Sequence, residues 1–264
     1  MTETLTKFER AMAIMRRLRA PGGCPWDAEQ THESLKRYLI EECYEVIEAI
    51  DTRDDALLRE ELGDLLLQPL FHASIAEERG AFAIDDVLDT LADKLVRRHP
   101  HVFGDEQIRT SDEQVANWEK IKKAEKGEER KSAIAGVPPE LPALLKAQKV
   151  TEKAARVGFD WEHVDQVFAK VLEELHELEE TMTGNCQERI EAELGDLLFA
   201  IVNLGRFLSV NPEEALRKTI TRFGSRFSHV EETIHARGKQ LKDATLEEME
   251  ALWQEAKEKE KAGN

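Results

Sequence analysis

Glu41-Glu42-Cys43-Tyr44-Glu45, followed by Glu61-Leu62-Gly63-Asp64, returns later in the chain as Glu173-Glu174-Leu175-His176-Glu177 followed by Glu193-Leu194-Gly195-Asp196. Every one of these acids moves by the same 132 positions. A duplicated domain keeps its core pattern, and core patterns are apolar. Here the element copied most faithfully is charged, and that points to chemistry.

The acids sit within stretches of helical period. Successive residues of an α-helix turn by about 100°. Glu42 and Glu45 therefore lie on adjacent positions one turn apart, as do Glu61 and Asp64, and their copies Glu174 with Glu177 and Glu193 with Asp196. Around them, apolar spacing predicts helices over 5–20, 33–50, 56–79, 85–98 and 112–126, then 143–157, 163–183, 187–208, 212–236 and 245–261. Asn211-Pro212-Glu213-Glu214 has the composition of a helix start, with a capping side chain, proline in the first turn and acids near the positive end of the dipole. Pro21-Gly22-Gly23 reads as a turn leading into Cys24-Pro25-Trp26-Asp27. Few segments alternate as strands do, so the predicted class is all-α.

The repeat extends beyond the acids. The four Trp residues form two pairs, Trp26 with Trp161 and Trp118 with Trp253, both 135 apart, and Lys122 and Lys257 each follow the second Trp of their copy by four residues. Lys94 and Arg98 match Arg222 and Arg226 at an offset of 128. Changing offsets between matched elements are what loop insertions and deletions produce. The chain of 264 residues thus divides into an N-terminal domain at 1–126, a linker at 127–142 rich in Gly and Pro, and a C-terminal domain at 143–264.

Acids outnumber bases by 54 to 37, for a net charge of −17, which excludes duplex nucleic acid or an anionic membrane as the main partner. A metal-complexed anionic small molecule stays open where bases gather locally. Cys24, Cys43 and Cys186 form no CxxC spacing and no even framework, which fits a reducing cytoplasm. There is no leader-like apolar segment and no run of about 18 apolar residues, so no membrane span is expected.

If each pair of acidic helices packs antiparallel, four carboxylates converge: Glu42, Glu45, Glu61 and Asp64 in one copy, Glu174, Glu177, Glu193 and Asp196 in the other. Like charges at this spacing repel, and more so when desolvated. A divalent cation removes the penalty, and an all-oxygen set suits a hard ion, Mg²⁺ first and Mn²⁺ second. The bland alternative is two solvated acidic faces. Gly63 and Gly195, each between two acids, weigh against it, because a helix-interior glycine costs about 1 kcal/mol relative to Ala. The close approach of either a neighbouring helix or a ligand explains such a glycine. Glu173-x-x-His176 resembles half of a di-iron site, but copy one has Tyr44 at the histidine position and the second acidic helices carry ExxD.

Bases and aromatics supply the complement. Arg222 and Arg226, four residues apart, suit either surface ion pairing or a phosphate clamp. Trp253 with Lys257 one turn on suits either a core or a base-stacking platform beside a phosphate. Copy two adds Lys170 before Glu174 and Arg189 before Glu193, where copy one has Tyr38 and Leu57. Lys36 and Arg37 compensate in part. The C-terminal half is thus the better equipped for a polyphosphate. No GxxxxGK[ST], GxGxxG or GxSxG motif is present.

The duplicated EExxE…ExxD pattern, with Gly23-Cys24-Pro25-Trp26-Asp27, Arg97-Arg98-His99-Pro100-His101-Val102-Phe103 and Val157-Gly158-Phe159-Asp160-Trp161, closely resembles the two-domain bacterial members of the MazG family of nucleoside triphosphate pyrophosphohydrolases. The resemblance covers nearly the whole chain. It implies tandem helical domains whose bundles are completed by homodimerisation. It also implies Mg²⁺-dependent cleavage of NTPs and dNTPs, ATP among them, to NMP and pyrophosphate, a housecleaning of the nucleotide pool. Carried over, the metal ligands are Glu174, Glu177, Glu193 and Asp196, the catalytic set, with Glu42, Glu45, Glu61 and Asp64 in copy one. The nucleotide contacts are Lys170, Arg189, Arg222, Arg226, Trp253 and Lys257. The expected chemistry is in-line attack of water at the α-phosphorus, with one glutamate as base and Arg and Lys stabilising the leaving pyrophosphate. The alternative function is a regulatory module that binds a nucleotide without hydrolysing it.

Overall fold

The structure, a computed structural model, describes residues 6–106, 108–110, 113–114, 117–118, 121, 125, 132–184 and 186–263. Among them are eleven α-helices and no strand, as the apolar spacing requires. The chain forms two units, Met1–Glu125 and Lys126–Asn264.

In the first unit, α1 (Lys7–Arg19), α3 (Lys36–Thr52), α4 (Asp55–Glu78) and α5 (Ile84–Arg98) follow the predicted spans closely. Two short helices were not anticipated: α2 (Pro25–Glu29) and α6 (Pro100–Phe103). Each begins with a proline, whose fixed φ favours a first helical turn, and each is too short to show a hydrophobic period. Of the helix expected over 112–126, residues 113–114, 117–118, 121 and 125 are helical, while Lys122 lies outside the described residues.

A sharp turn joins the two acidic helices. Arg53 takes the left-handed conformation (φ 56°) that ends α3. The Asp54 carboxylate then accepts from the N–H groups of Ala56 and Leu57 and starts α4. Helix α1 lies on the second half of α4 through two small cores: Met12, Leu70, Ala73 and Ile84, and Met15, Leu35, Phe71 and Ile75. The first half of α4, which bears the acids, is left open, with Leu62 and Leu66 exposed.

The second unit contains α7 (Ala143–Ala155), α8 (Val164–Met182), α9 (Gln187–Phe207), α10 (Pro212–Ala236) and α11 (Leu246–Gly263). The Asn211 side chain accepts from the Glu214 N–H at 3.1 Å and Pro212 opens α10, as the sequence there predicts. Helices α10 and α11 close over Val230, Ile234 and Leu252, with Trp253 packed at the edge. Between residues 132 and 142 there is no helix. That segment lies along α7, with the Lys153 ammonium donating to the Ala135 carbonyl and that of Lys146 to Pro139. No helix of the described residues is long and apolar enough to cross a membrane.

Candidate functional site

The acidic helices pack as antiparallel pairs, α3 with α4 and α8 with α9, and these are the most extensive helix contacts in their units. Their turns place equivalent acids opposite one another. Carboxylate oxygens of Glu42, Glu45 and Glu61 all lie within 4.8 Å of one another, and so do those of Glu174, Glu177 and Glu193. Three of the four acids predicted in each copy therefore converge. Asp64 and Asp196 stand one turn further along and fall outside both triads. Both are exposed. Asp64 is still near enough to bear on Glu42.

In the first unit repulsion within the cluster is visible in the acidities. Burial, followed by the negative charges of Asp64, Glu45 and Glu61, holds the Glu42 carboxyl above its ordinary range. Glu61 is raised in the same direction by burial, then by Glu45 and Asp64. Neutralisation by a cation would relieve both.

Glu174 is the most buried member of the second triad. Its partner is Lys170, one turn earlier on α8, at 2.7 Å, and the same ammonium reaches Glu173 at 2.7 Å. The two carboxylates push the Lys170 ammonium above its ordinary range. In the first unit Tyr38 occupies the Lys170 position, with its ring against Trp26 and the Arg37 guanidinium. Arg189 is exposed on α9 one turn before Glu193.

Gly63 and Gly195 are open: a Cβ at either would meet no atom within 4 Å. Among the described residues, no neighbouring helix of the same unit therefore approaches closely at either glycine, which corrects that alternative. Gly23 does need its missing side chain, because a Cβ would collide with the carbonyls of Arg17 and Leu18.

The basic and aromatic residues of the second unit gather at α10 and α11. Arg226 donates to both oxygens of Glu260, the shortest contact being 2.7 Å, and its guanidinium carbon lies 5.6 Å from the Trp253 ring centroid. Phe223 packs against that ring at 5.0 Å. Arg222 donates to the Thr219 hydroxyl and is close enough to favour ionisation of Glu260. Lys257 is half-buried one turn after Trp253. Trp253 thus packs against the α10–α11 core with the Arg226 guanidinium beside its ring. Among the described residues of the second unit, no hydrogen bond or ion pair joins this group to the carboxylate triad.

The MazG nucleotide pyrophosphohydrolase domain model matches residues 30–103 and 163–231. The chain belongs to the MazG family. It is 51% identical over 97% of its length to 98% of a Thermotoga maritima protein named nucleoside triphosphate pyrophosphohydrolase/pyrophosphatase MazG. It is also 45% identical over 97% of its length to 99% of an Escherichia coli (strain K12) nucleoside triphosphate pyrophosphohydrolase. With a Mycobacterium tuberculosis protein of that name it shares 51% identity over 56% of this chain and 45% of the relative. The two MazG segments contain both carboxylate triads and end before Trp118 and Trp253.

Two acids beside the MazG segments escaped the sequence reading: Glu125, which takes Arg97 and Arg98, and Glu260, which takes Arg226. Their separation of 135, the same as that of the Trp pairs, was the signal available for finding them. The stacked pair His32 and His72, with ring nitrogens 2.8 Å apart, left no such trace, because copy two has no equivalent.

Proposed function

We propose that this chain hydrolyses nucleoside triphosphates, ribose or deoxyribose, to the monophosphate and pyrophosphate, and that the C-terminal unit carries the reaction. The observation that bears most weight is the triad Glu174, Glu177 and Glu193, whose oxygens converge within 4.8 Å on the α8–α9 pair. The names of the full-length relatives from Thermotoga maritima and Escherichia coli support the same activity.

Three converging carboxylates, with Asp196 one turn along, form a donor set suited to a hard ion, Mg²⁺ or Mn²⁺. Glu42, Glu45 and Glu61, with Asp64, form the equivalent set in the N-terminal unit. Once bound, such an ion offsets the carboxylate charge and polarises the phosphates. The remaining work falls to side chains. Lys170 and Arg189 stand beside the acids, where their charge favours a polyphosphate tail. Arg222 and Arg226 offer guanidinium forks to phosphate, Trp253 a face for the base, and Lys257 a further cation. One carboxylate accepts the proton of the attacking water, and the cations stabilise charge developing on the departing pyrophosphate.

Among the described residues no hydrogen bond or ion pair joins the basic group to the triad within one unit, which supports a homodimer in which partner helices complete the site. Phe168, Leu172 and Leu175 on α8, and Leu194 and Leu198 on α9, are all exposed, more apolar surface than a monomer ordinarily leaves in water. A cytoplasmic setting is proposed from the three unpaired cysteines. The division into domains at 1–126 and 143–264 with a linker between belongs to the same proposal.

A second reading applies to the N-terminal unit alone: a regulatory module that holds metal or nucleotide without turnover. It is favoured by Tyr38 standing where the C-terminal unit has Lys170. Glu174→Gln or Glu193→Gln should abolish release of pyrophosphate from Mg²⁺ and mixed NTPs while helical content stays intact. Turnover retained in either variant would remove the site assignment, and unchanged NTP with the native chain would leave only the binding module.

A further inference from the structure

Arg226 is held by one edge. Its Nε and Nη2 donate to the Glu260 carboxylate at 3.0 and 2.7 Å, with a longer Nε contact of 3.2 Å to the other oxygen. No described residue accepts from its Nη1. Glu260 and Trp253 are seven residues apart on α11, two turns, so both occupy one stripe of that helix. The guanidinium is thus pinned by the carboxylate while its carbon lies 5.6 Å from the Trp253 ring centroid. Both side chains of the pair are largely shielded, at 21% and 34% exposed.

A related arginine–glutamate pair occurs in the first unit, where Glu125 also takes the Arg97 Nε at 2.6 Å. Arg98 donates to Glu125 through Nε and Nη2, at 3.1 and 2.6 Å to the same oxygen, and Glu125 follows Trp118 by seven residues. The arginines are related by 128 positions and the glutamates by 135. A pair built twice across two different offsets is a duplicated tertiary contact, unlike the chance ion pairs of a charged surface. It also has an electrostatic drawback, since a carboxylate beside a triphosphate subsite repels the ligand. Its benefit must therefore lie in geometry.

We propose that Glu260 is a positioning residue for the nucleotide site, fixing the Arg226 guanidinium beside Trp253 so that the Nη1 edge is presented to phosphate. Holding a planar fork in advance reduces the ordering needed when substrate binds. The inference rests on Arg226 contacting nucleotide, as proposed above.

Steady-state turnover of ATP with Mg²⁺ by the full chain tests it. Glu260→Ala should raise KM about tenfold with kcat changed by less than about twofold, the size expected when the partner that orients a ligand-binding group is lost. Glu260→Asp, which keeps the fork, should recover most of the loss, and Glu260→Gln less. A purely structural role would instead lower the urea midpoint and give no KM-specific rescue by Asp. Two outcomes overturn the positioning role alone: an Arg226→Ala variant with raised KM beside an unaffected Glu260→Ala, or a Glu260→Ala variant with lowered KM, which would make the carboxylate a competitor of phosphate. If Arg226→Ala itself leaves KM unchanged, the nucleotide role of Arg226 fails and the inference goes with it. Because Asp and Gln variants keep polar contacts, a misfolded Ala variant does not remove the test.

Discussion

Lys170 and Glu174, one helical turn apart on α8, form a 2.7 Å ion pair in which the carboxylate side chain is 8% exposed and the lysine 36%. The buried acid of the triad is thus already satisfied by a cation of its own helix. Any metal that joins the triad shares Glu174 with an ammonium group, and the site has no such arrangement in the first unit, where Tyr38 stands at that position.

Replacing Lys170 with Met should destabilise the metal-free protein by about 1–2 kcal/mol, since it strands a buried carboxylate. The value sits at the low end because water reaches the lysine. Divalent cation should then stabilise the variant more than the native chain, as the ion takes over the lost charge. Urea unfolding in EDTA and in Mg²⁺ reads both effects. An equal response of the two proteins to Mg²⁺ would show that the triad does not hold the ion.

Glu61→Gln should have the opposite effect on the apo protein. The carboxyls of Glu42 and Glu61 are raised in the folded state, so the stability they contribute is present below the unfolded carboxylate range, about pH 4, and is lost as pH rises through the raised values. Removing one charge should therefore raise the melting temperature near pH 7 without metal and leave it unchanged near pH 4. The variant should also lose any stabilisation that Mg²⁺ confers on the native chain through this cluster, as proposed above. Thermal melts at the two pH values, with and without the ion, decide it.

Glu125 titrates the other way. Hydrogen bonds from Arg98 and Arg97 hold its carboxyl down at about 2. Its contribution to stability is present above the unfolded value, about 4.3, and disappears as pH falls through about 2. Carboxyl carbon shifts followed by NMR should place its midpoint near 2. In a chain with Arg97 and Arg98 both changed to Ala the midpoint should return to about 4.3. An unshifted midpoint in the native chain would dissolve the pair.

Gly195→Ala separates fold from function. Nothing lies within 4 Å of the added methyl group, so the helix should gain about 0.5–1 kcal/mol. Turnover should nonetheless fall if, as proposed, substrate or a partner helix approaches the open space beside it. A stabler enzyme of unchanged activity would return Gly195 to the status of an accident of duplication.

Most of the helices were legible in the sequence, and for a simple reason. Periodicity, the Asn211 cap and the copied acids are local properties, with partners no more than a turn away. The predicted spans of α3, α4, α8, α9 and α10 accordingly end within a few residues of the observed ones. The all-α class and the tandem repeat follow from the same signals, as does the convergence of Glu42, Glu45 and Glu61 and of Glu174, Glu177 and Glu193 once the acidic helices pair. Pairing itself brings those residues level only because few residues separate α3 from α4 and α8 from α9.

The tertiary structure alone decided the rest. Spacing placed Asp64 and Asp196 on the same faces as their neighbours; Asp64 is near enough to raise the Glu42 carboxyl, while the mutual approach within 4.8 Å joins only the three glutamates of each copy. Spacing left Arg226 open between ion pairing and a phosphate clamp, and only the fold identifies its partner, Glu260, 34 residues away on another helix. Nothing local marks such an ion pair, because its energy depends on the distance between two helices and on the water excluded between them. Sequence determines which charges a helix presents. Packing determines which of them meet.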